Sequence, residues 1–317
     1  MKRDHVAAED EPAKPQKKHF RTRAHSNVLN ANDFWFPPTP ADVPLGDYFP
    51  NLPEAARAIE MVDIGCGYGS LLLELAVLYP DSPMLGIEIR PKIVEYVQRR
   101  VVALRHEASS TLAVNTNNGS ASGASGSGCS ADTTVEVDAS SATPSPIINY
   151  ENVWAVLNNA QRFMPNFFRK GQLSKLFFCF ADPHFKRKNH RKRIVSTALL
   201  AEYAFVMRPG GLAYVITDVA DLMSWIVEHF QASTLFERLP RQALRADPAV
   251  PALIRTDEGL KVQRNNGNMF IAVFRKRIDP LAPRAPPPPN DNSLAAEAAA
   301  DAGYAPKAGG ERRGMTW

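Results

Sequence analysis

The 317-residue sequence predicts an α/β fold, a doubly wound and mostly parallel sheet with disordered arms, and three observations point to it. Short apolar runs of strand length alternate with stretches of helical periodicity. One strand-to-helix junction is rich in glycine. Low-complexity composition is confined to the two ends and to one internal stretch.

Residues 1–32 are polar and basic, with Lys14, Lys17, Lys18, Arg21 and Arg23 close together, and predict a largely disordered arm. Within it, Arg21-Thr22-Arg23-Ala24-His25-Ser26 has the R-x-R-x-x-S form that basophilic kinases accept, a pattern that also arises by chance. Ser26 is therefore a regulatory candidate: a phosphate adds about −1.5 to −2 charges and opposes an anionic substrate. Phe34-Trp35-Phe36-Pro37-Pro38 then opens the domain expected over residues 33–279, as an aromatic lead-in that covers rather than catalyses.

Met61-Val62-Asp63-Ile64 is a short apolar run broken by one acid, and it feeds directly into Gly65-Cys66-Gly67-Tyr68-Gly69. Leu71, Leu72, Leu75 and Leu78 follow at helical spacing, so the stretch reads strand, glycine turn, helix. Glycines at alternate positions let the backbone turn tightly and let a ligand lie against the first N–H groups of the helix. A second strand, Met84 to Ile89, carries Glu88 near its end, nineteen residues after Gly69, where a nucleotide-binding βαβ unit places the carboxylate for ribose hydroxyls. After Pro91, Ile93, Val97, Val101 and Leu104 make a buried helical stripe, with Glu95, Arg99, Arg100 and Arg105 expected outside.

From 107 to 147 the chain turns to Ser, Ala, Gly, Thr and Asn, which cannot offset ordering entropy and predicts a disordered insertion. Order resumes with a strand over Asn152 to Leu157, followed by Asn158-Asn159-Ala160. Lys175 to Ala181 is apolar enough to be a central parallel strand. A helix from about Arg193 to Met207 stops at Arg208-Pro209-Gly210-Gly211, Leu212 to Thr217 is a strand, Ala220 to Phe230 a helix, and Met269 to Phe274 the final strand. Residues 280–317, with four consecutive prolines and an alanine-rich end, predict a disordered tail.

The composition narrows the function. Three cysteines without a C-x-x-C pair argue against a disulfide framework or a zinc ribbon, and no metal is expected. No apolar run reaches the length of a membrane span, which leads us to expect a non-membrane, intracellular protein. Net charge is only +4, yet six of the eight residues from Lys186 to Arg193 are Lys or Arg, directly after the expected catalytic edge of the sheet. Lys186, Arg187, Lys188, Arg191, Lys192 and Arg193 are therefore candidate phosphate contacts, although a charge run is more often a solvated face. Phe185 beside them suits stacking on an exposed base, and equally suits an ordinary core position.

A nicotinamide fingerprint reads G-x-G-x-x-G, whereas here the third glycine comes one residue early and Asp63 stands two before the first. This resembles the E/D-x-G-x-G-x-G signature of class I S-adenosylmethionine-dependent methyltransferases and implies their Rossmann-like fold and their cofactor. Together with Gly86-Ile87-Glu88-Ile89-Arg90, Asn159-Ala160, Asp182-Pro183-His184-Phe185-Lys186 and Ile216-Thr217-Asp218, the chain from about Lys17 to Arg277, insertion excepted, resembles the eukaryotic tRNA (guanine-N7)-methyltransferase family. That resemblance implies S-adenosyl-L-methionine as cofactor and methyl transfer to a guanosine in the variable loop of tRNA. It also implies a heterodimer with a non-catalytic WD-repeat β-propeller subunit, and a nuclear or nuclear and cytoplasmic location. By position, the cofactor residues are Gly65, Glu88, Ile89, Arg90, Asn159, Ala160, Cys179 through its backbone, Thr256 and Glu258, and the catalytic acid is Asp182. His184 is assigned to holding the turn. Ala181 stands where the family usually has proline, and Ser70 where a further glycine is frequent. A methyltransferase of proteins or small molecules has no use for the basic run, and a non-catalytic RNA-binding subunit has no use for Glu88 or Asp182.

Overall fold

The computed structural model describes residues 12–22, 28–29, 34–118 and 148–281. Ser26, Arg23, most of the insertion and all but the first two residues of the expected tail lie outside the described residues. The helices are α1 (Leu45–Tyr48), α2 (Ser70–Leu78), α3 (Pro91–Asn118), α4 (Ala160–Phe167), α5 (Thr197–Val206), α6 (Ala220–Ala232), α7 (Arg241–Leu244), α8 (Ala249–Ile254) and α9 (Asp257–Arg264). The strands are β1 (Met61–Ile64), β2 (Met84–Glu88), β3 (Val153–Leu157), β4 (Leu173–Cys179), β5 (Met207–Thr217), β6 (Phe236–Arg238) and β7 (Phe270–Lys276).

They form one seven-stranded sheet in the order β3-β2-β1-β4-β5-β7-β6. The first five pair in parallel, while β7 runs antiparallel between β5 and β6. The chain thus leaves β1 toward one side and returns to pair β4 on the other, which puts the reversal of strand order between β1 and β4. In an open α/β sheet a ligand lies at that crevice, outside the carboxyl ends of the strands.

Strand alternation divides the core into two layers. Val62, Ile64, Leu176, Phe178, Ala213 and Val215 face a layer built by α4, α5 and α6, whose Met164, Leu200, Tyr203 and Ile226 are buried. Met61, Phe177, Tyr214, Ile271 and Val273 face the other, with Leu71, Leu72 and Leu75 of α2, Val97 and Val101 of α3, and Leu253 of α8. Apolar residues on both faces explain why β4 reads as a continuous hydrophobic run.

Four local readings change. Arg105, expected outside, is buried: its Nη2 donates to Tyr48 O at 2.8 Å and Val153 O at 2.9 Å, and its guanidinium lies against the Trp154 ring. Backbone carbonyls from α1 and β3 supply the partners that burial of a charge demands. Helix α3 continues into the stretch expected to be disordered from 107: Lys14 pairs with Glu107 at 2.6 Å, and the hydroxyls of Ser109, Ser110 and Thr111 are taken up by carbonyls four residues earlier. The N-terminal segment is not wholly free either, since Phe20 meets Tyr96 of α3 edge-on at 5.5 Å. The helix expected from Arg193 begins at Thr197, where Ser196 accepts from the Leu199 N–H; Arg187–Lys192 forms a 3-10 turn instead.

Candidate active site

The carboxyl ends of β1, β2, β3 and β4 open into a single cavity of about 440 Å³, within the usual size of small-molecule sites. All ten residues expected to bind cofactor or catalyse line it: Gly65, Glu88, Ile89, Arg90, Asn159, Ala160, Cys179, Asp182, Thr256 and Glu258.

The glycine turn has the geometry its sequence demands. Gly65 leaves β1 at φ 75° while its N–H donates to Ile87 O at 2.7 Å. Gly69 caps α2 at φ 73°, a backbone conformation that favours glycine, and a Cβ there would crowd Val97 Cγ1 at 3.0 Å. Glu88, 3% exposed, accepts from Gly67 N at 3.2 Å, Ile89 N at 2.8 Å and Arg90 N at 3.0 Å. Arg90 closes on the same carboxylate through Nε at 3.0 Å and Nη2 at 2.9 Å. Three backbone donors and two from the Arg90 side chain together hold Glu88 in place.

Asp63 sits on β1 just beneath this turn, 2% exposed, with no hydrogen-bond partner for its Oδ1 among the described residues. Burial, and secondarily the Glu88 charge, push its carboxyl up to about 7. A buried, unpaired carboxyl oxygen lining a cavity fits a cationic group, which restores the lost solvation. Cys66 and Cys179 also line the cavity, and burial holds both thiols well above their ordinary range, which leaves them unfit as nucleophiles.

Asn159 caps α4 by accepting from Gln161 N at 3.0 Å and donates through Nδ2 to Val28 O at 2.8 Å. Asn158 likewise donates to Trp35 O at 2.8 Å. The two asparagines therefore hold the N-terminal segment against the cavity. On the opposite side, Thr256 caps α9, its Oγ1 accepting from Gly259 N at 3.1 Å and donating to Leu253 O at 2.9 Å. With its hydroxyl committed, Thr256 serves the cavity by orienting the first turn of α9, while Glu258 is exposed at its edge.

Asp182 lies in a turn whose flanking residues Phe180 (φ 50°) and His184 (φ 45°) are both left-handed, a region bulky residues avoid. His184 N approaches Asp182 Oδ1 at 3.3 Å and its Nδ1 lies 3.7 Å from Oδ2, so His184 steadies the carboxylate. Asp218, from the end of β5, lines the same cavity; the sequence motif contained it without a role.

The basic run divides. Lys186, Arg187, Lys188 and Arg191 are exposed, Phe185 is 70% exposed, and Lys192 lines the cavity. Arg193 is corrected: it is 5% exposed, its Nε donates to Pro183 O at 2.9 Å and its guanidinium packs on Trp225, so it cannot reach a phosphate. Sequence reasoning gave no site role to Val28, Asp63, Tyr68 and Asp257, which also line the cavity. Only Asp63 and Tyr68 carried a local signal, as part of the glycine motif.

Residues 57–272 match a family described as "Putative methyltransferase". The chain is 42% identical to a tRNA (guanine-N(7)-)-methyltransferase of Yarrowia lipolytica, over 84% of this chain and 79% of that one. It is 42% identical to the enzyme of the same description from Arabidopsis thaliana, over 83% and 92%, and 40% identical to that from Bos taurus, over 89% and 95%. Among solved structures, the 16S rRNA methyltransferase KamB aligns at 11% identity over 78% of this chain and 96% of that one, with a TM-score of 0.40.

Proposed function

The chain belongs to the tRNA (guanine-N7)-methyltransferase family, and from that membership we propose how its cavity works and what joins it. It is an S-adenosylmethionine-dependent methyltransferase of class I fold that acts on guanine N7 of tRNA. The cofactor supplies a methyl group on a sulfonium, an electrophile that needs no further activation.

The residues present fit that cofactor. The glycine turn leaves backbone free of side chains, Glu88 is fixed to accept ribose hydroxyls once Arg90 shares it, and the orphaned Asp63 Oδ1 suits the ammonium of the methionine moiety. Asn159 and Ala160 form the wall at the end of β3. Guanine N7 has a free lone pair, so no proton need be removed before it reacts. Asp182 is accordingly a positioning and electrostatic group: it accepts from the guanine edge and balances the positive charge that develops on the purine. His184 fixes the carboxylate's orientation.

The observation that carries this reading is that Asp182, Glu88 and Asn159, at or just beyond the carboxyl ends of three separate strands, line one cavity beside an exposed cationic turn. We extend it to Lys186, Arg187, Lys188, Arg191 and Lys192 as backbone contacts that present a variable-loop guanosine of the tRNA, and to Phe185 as a stacking surface. The target must be unstacked locally to enter. A WD-repeat β-propeller subunit belongs to the same proposal. Helix α5 leaves Ala198, Ala201 and Phe205 exposed at helical spacing, an apolar stripe suited to such a partner. The clustered Lys14, Lys17 and Lys18 suit a nuclear address, the location we propose.

The test is to incubate the full chain, alone and with its propeller partner, with tRNA and methyl-labelled cofactor and to map the labelled base. Label at a variable-loop guanine N7, lost in Asp182→Ala with tRNA binding kept, is the expected result. Undiminished labelling by Asp182→Ala rejects the role given to that carboxylate.

A further inference from the structure

Arg193 ends a basic run but behaves unlike its neighbours. Its guanidinium carbon lies 4.7 Å from the centroid of the Trp225 ring, and its Nε donates to the carbonyl of Pro183, the residue directly after Asp182. Trp225, on α6, collects further points of the same segment. Its indole Nε1 donates to Val195 O at 2.9 Å, and His190 meets its ring edge-on at 5.2 Å. Trp225 is itself braced by His229, whose ring lies 4.1 Å away and whose Nδ1 donates to Trp225 O at 2.8 Å. Burial lowers the Arg193 guanidinium below its ordinary range, and the Asp221 carboxylate, one turn earlier on α6, offsets part of that effect.

The catalytic turn needs such support. Phe180 and His184 bracket Asp182 in left-handed backbone, which the local sequence does not favour. On the β4 side the turn is anchored by Phe180 N donating to Ile216 O at 2.8 Å. On its far side, the Arg193 bond fixes the peptide plane between Pro183 and His184.

We propose that Arg193, clamped on Trp225, is a positioning residue for methyl transfer: it sets the aim of the Asp182 carboxylate through Pro183 O and contacts no RNA. The inference rests on the role proposed for Asp182. It separates two jobs within one basic segment, in which exposed cations hold the polynucleotide and the buried one holds the catalytic turn.

The test compares Arg193→Lys, which keeps the charge but loses the planar fork and its stacking, with Trp225→Phe, which keeps a ring but loses the bond to Val195. Asp182→Asn and the double variant of Arg193→Lys with Asp182→Asn complete the set. Assays use the full chain with its partner subunit, and read kcat, KM for tRNA, and the salt dependence of tRNA binding. Arg193→Lys is expected to lower kcat on the order of ten- to a hundred-fold, with tRNA affinity and its salt slope unchanged. A phosphate contact at Arg193 would instead flatten that slope, by up to about 1 when the contact is lost outright. Trp225→Phe is expected to lower kcat in the same direction by a smaller factor, and Arg193→Lys in the Asp182→Asn background to cost nothing more. Full kcat in Arg193→Lys, a flattened slope, or an undiminished further loss in the double variant each overturns the inference. If Asp182→Asn itself retains full kcat, the underlying reading of Asp182 falls. If Asp182→Asn is impaired while Arg193→Lys is not, only the clamp falls.

Discussion

Ser70 and Asp257, 187 residues apart in sequence, meet through one hydrogen bond, in which the Asp257 N–H donates to Ser70 Oγ at 3.1 Å. Ser70 opens α2 just after the glycine turn and Asp257 opens α9, so the bond fixes one wall of the cavity to the other. Removing the acceptor in Ser70→Ala is expected to lower stability by about 1 kcal/mol and to weaken cofactor binding a few-fold, with kcat little changed. Thermal melts and calorimetric titration with S-adenosylhomocysteine measure both, and Ser70→Thr is expected to restore them.

Asp63 makes the empty protein pH-sensitive. Its carboxyl is raised from 3.8 to about 7, chiefly by burial, so the folded chain keeps a proton that the unfolded chain gives up. Stability therefore declines as pH rises from about 4 to about 7, by up to about 4 kcal/mol from this group, and is level above that. Asp63→Asn cannot ionise; without cofactor it is expected to melt near the parent at pH 4 and well above it at pH 8. The cofactor's cation has the opposite preference, so parent affinity is expected to tighten between pH 6 and pH 8. Titrations showing an equal trend in Asp63→Asn would remove Asp63 as its source.

The exposed part of the basic turn acts through salt-dependent contacts. Replacing Lys186, Arg187 and Lys188 together with glutamine is expected to flatten the slope of log affinity against log salt by about 2, on single-stranded phosphates. Filter binding across a salt series reads this directly. An unaltered slope would mean that these cations only solvate the surface.

Arg105 is a stability residue. Arg105→Met leaves Glu151 without the cation 3.4 Å away and leaves the carbonyls of Tyr48 and Val153 without their donor. The expected loss is roughly 3–5 kcal/mol, read from the urea midpoint, with cofactor affinity of the remaining folded protein intact.

Much of the cavity was legible because its parts are local. The glycine turn, Glu88, Asn159 and Asp182 each stand at the end of a strand, and the strands announced themselves by apolar runs. The doubly wound order then brought these ends together. What escaped depends on partners far along the chain. Arg105 and Arg193 look like surface cations until Tyr48, Val153, Pro183 and Trp225 are placed around them. Lys17 reads as part of a basic arm, yet it pairs with Asp257 at 2.5 Å, a partner 240 residues later. The short strand β6 and helices α7 and α8 carried too few residues for a periodic signal. The extension of α3 past 107 was hidden because serine and threonine are weak helix formers and the partner of Glu107, Lys14, stands far away in sequence.

Strand β7 is inserted between two strands made before it, β5 and β6, and is not added at a border of the sheet. During synthesis on the ribosome, β5 therefore presents an open row of N–H and C=O groups until Phe270–Lys276 has emerged, and the short β6 has nothing to join. Strand β5, which flanks β4 and hence the turn that carries Asp182, thus becomes an interior strand only when translation of the domain is nearly complete. Nascent chains halted before Phe270 are candidates for chaperone capture rather than for premature catalysis.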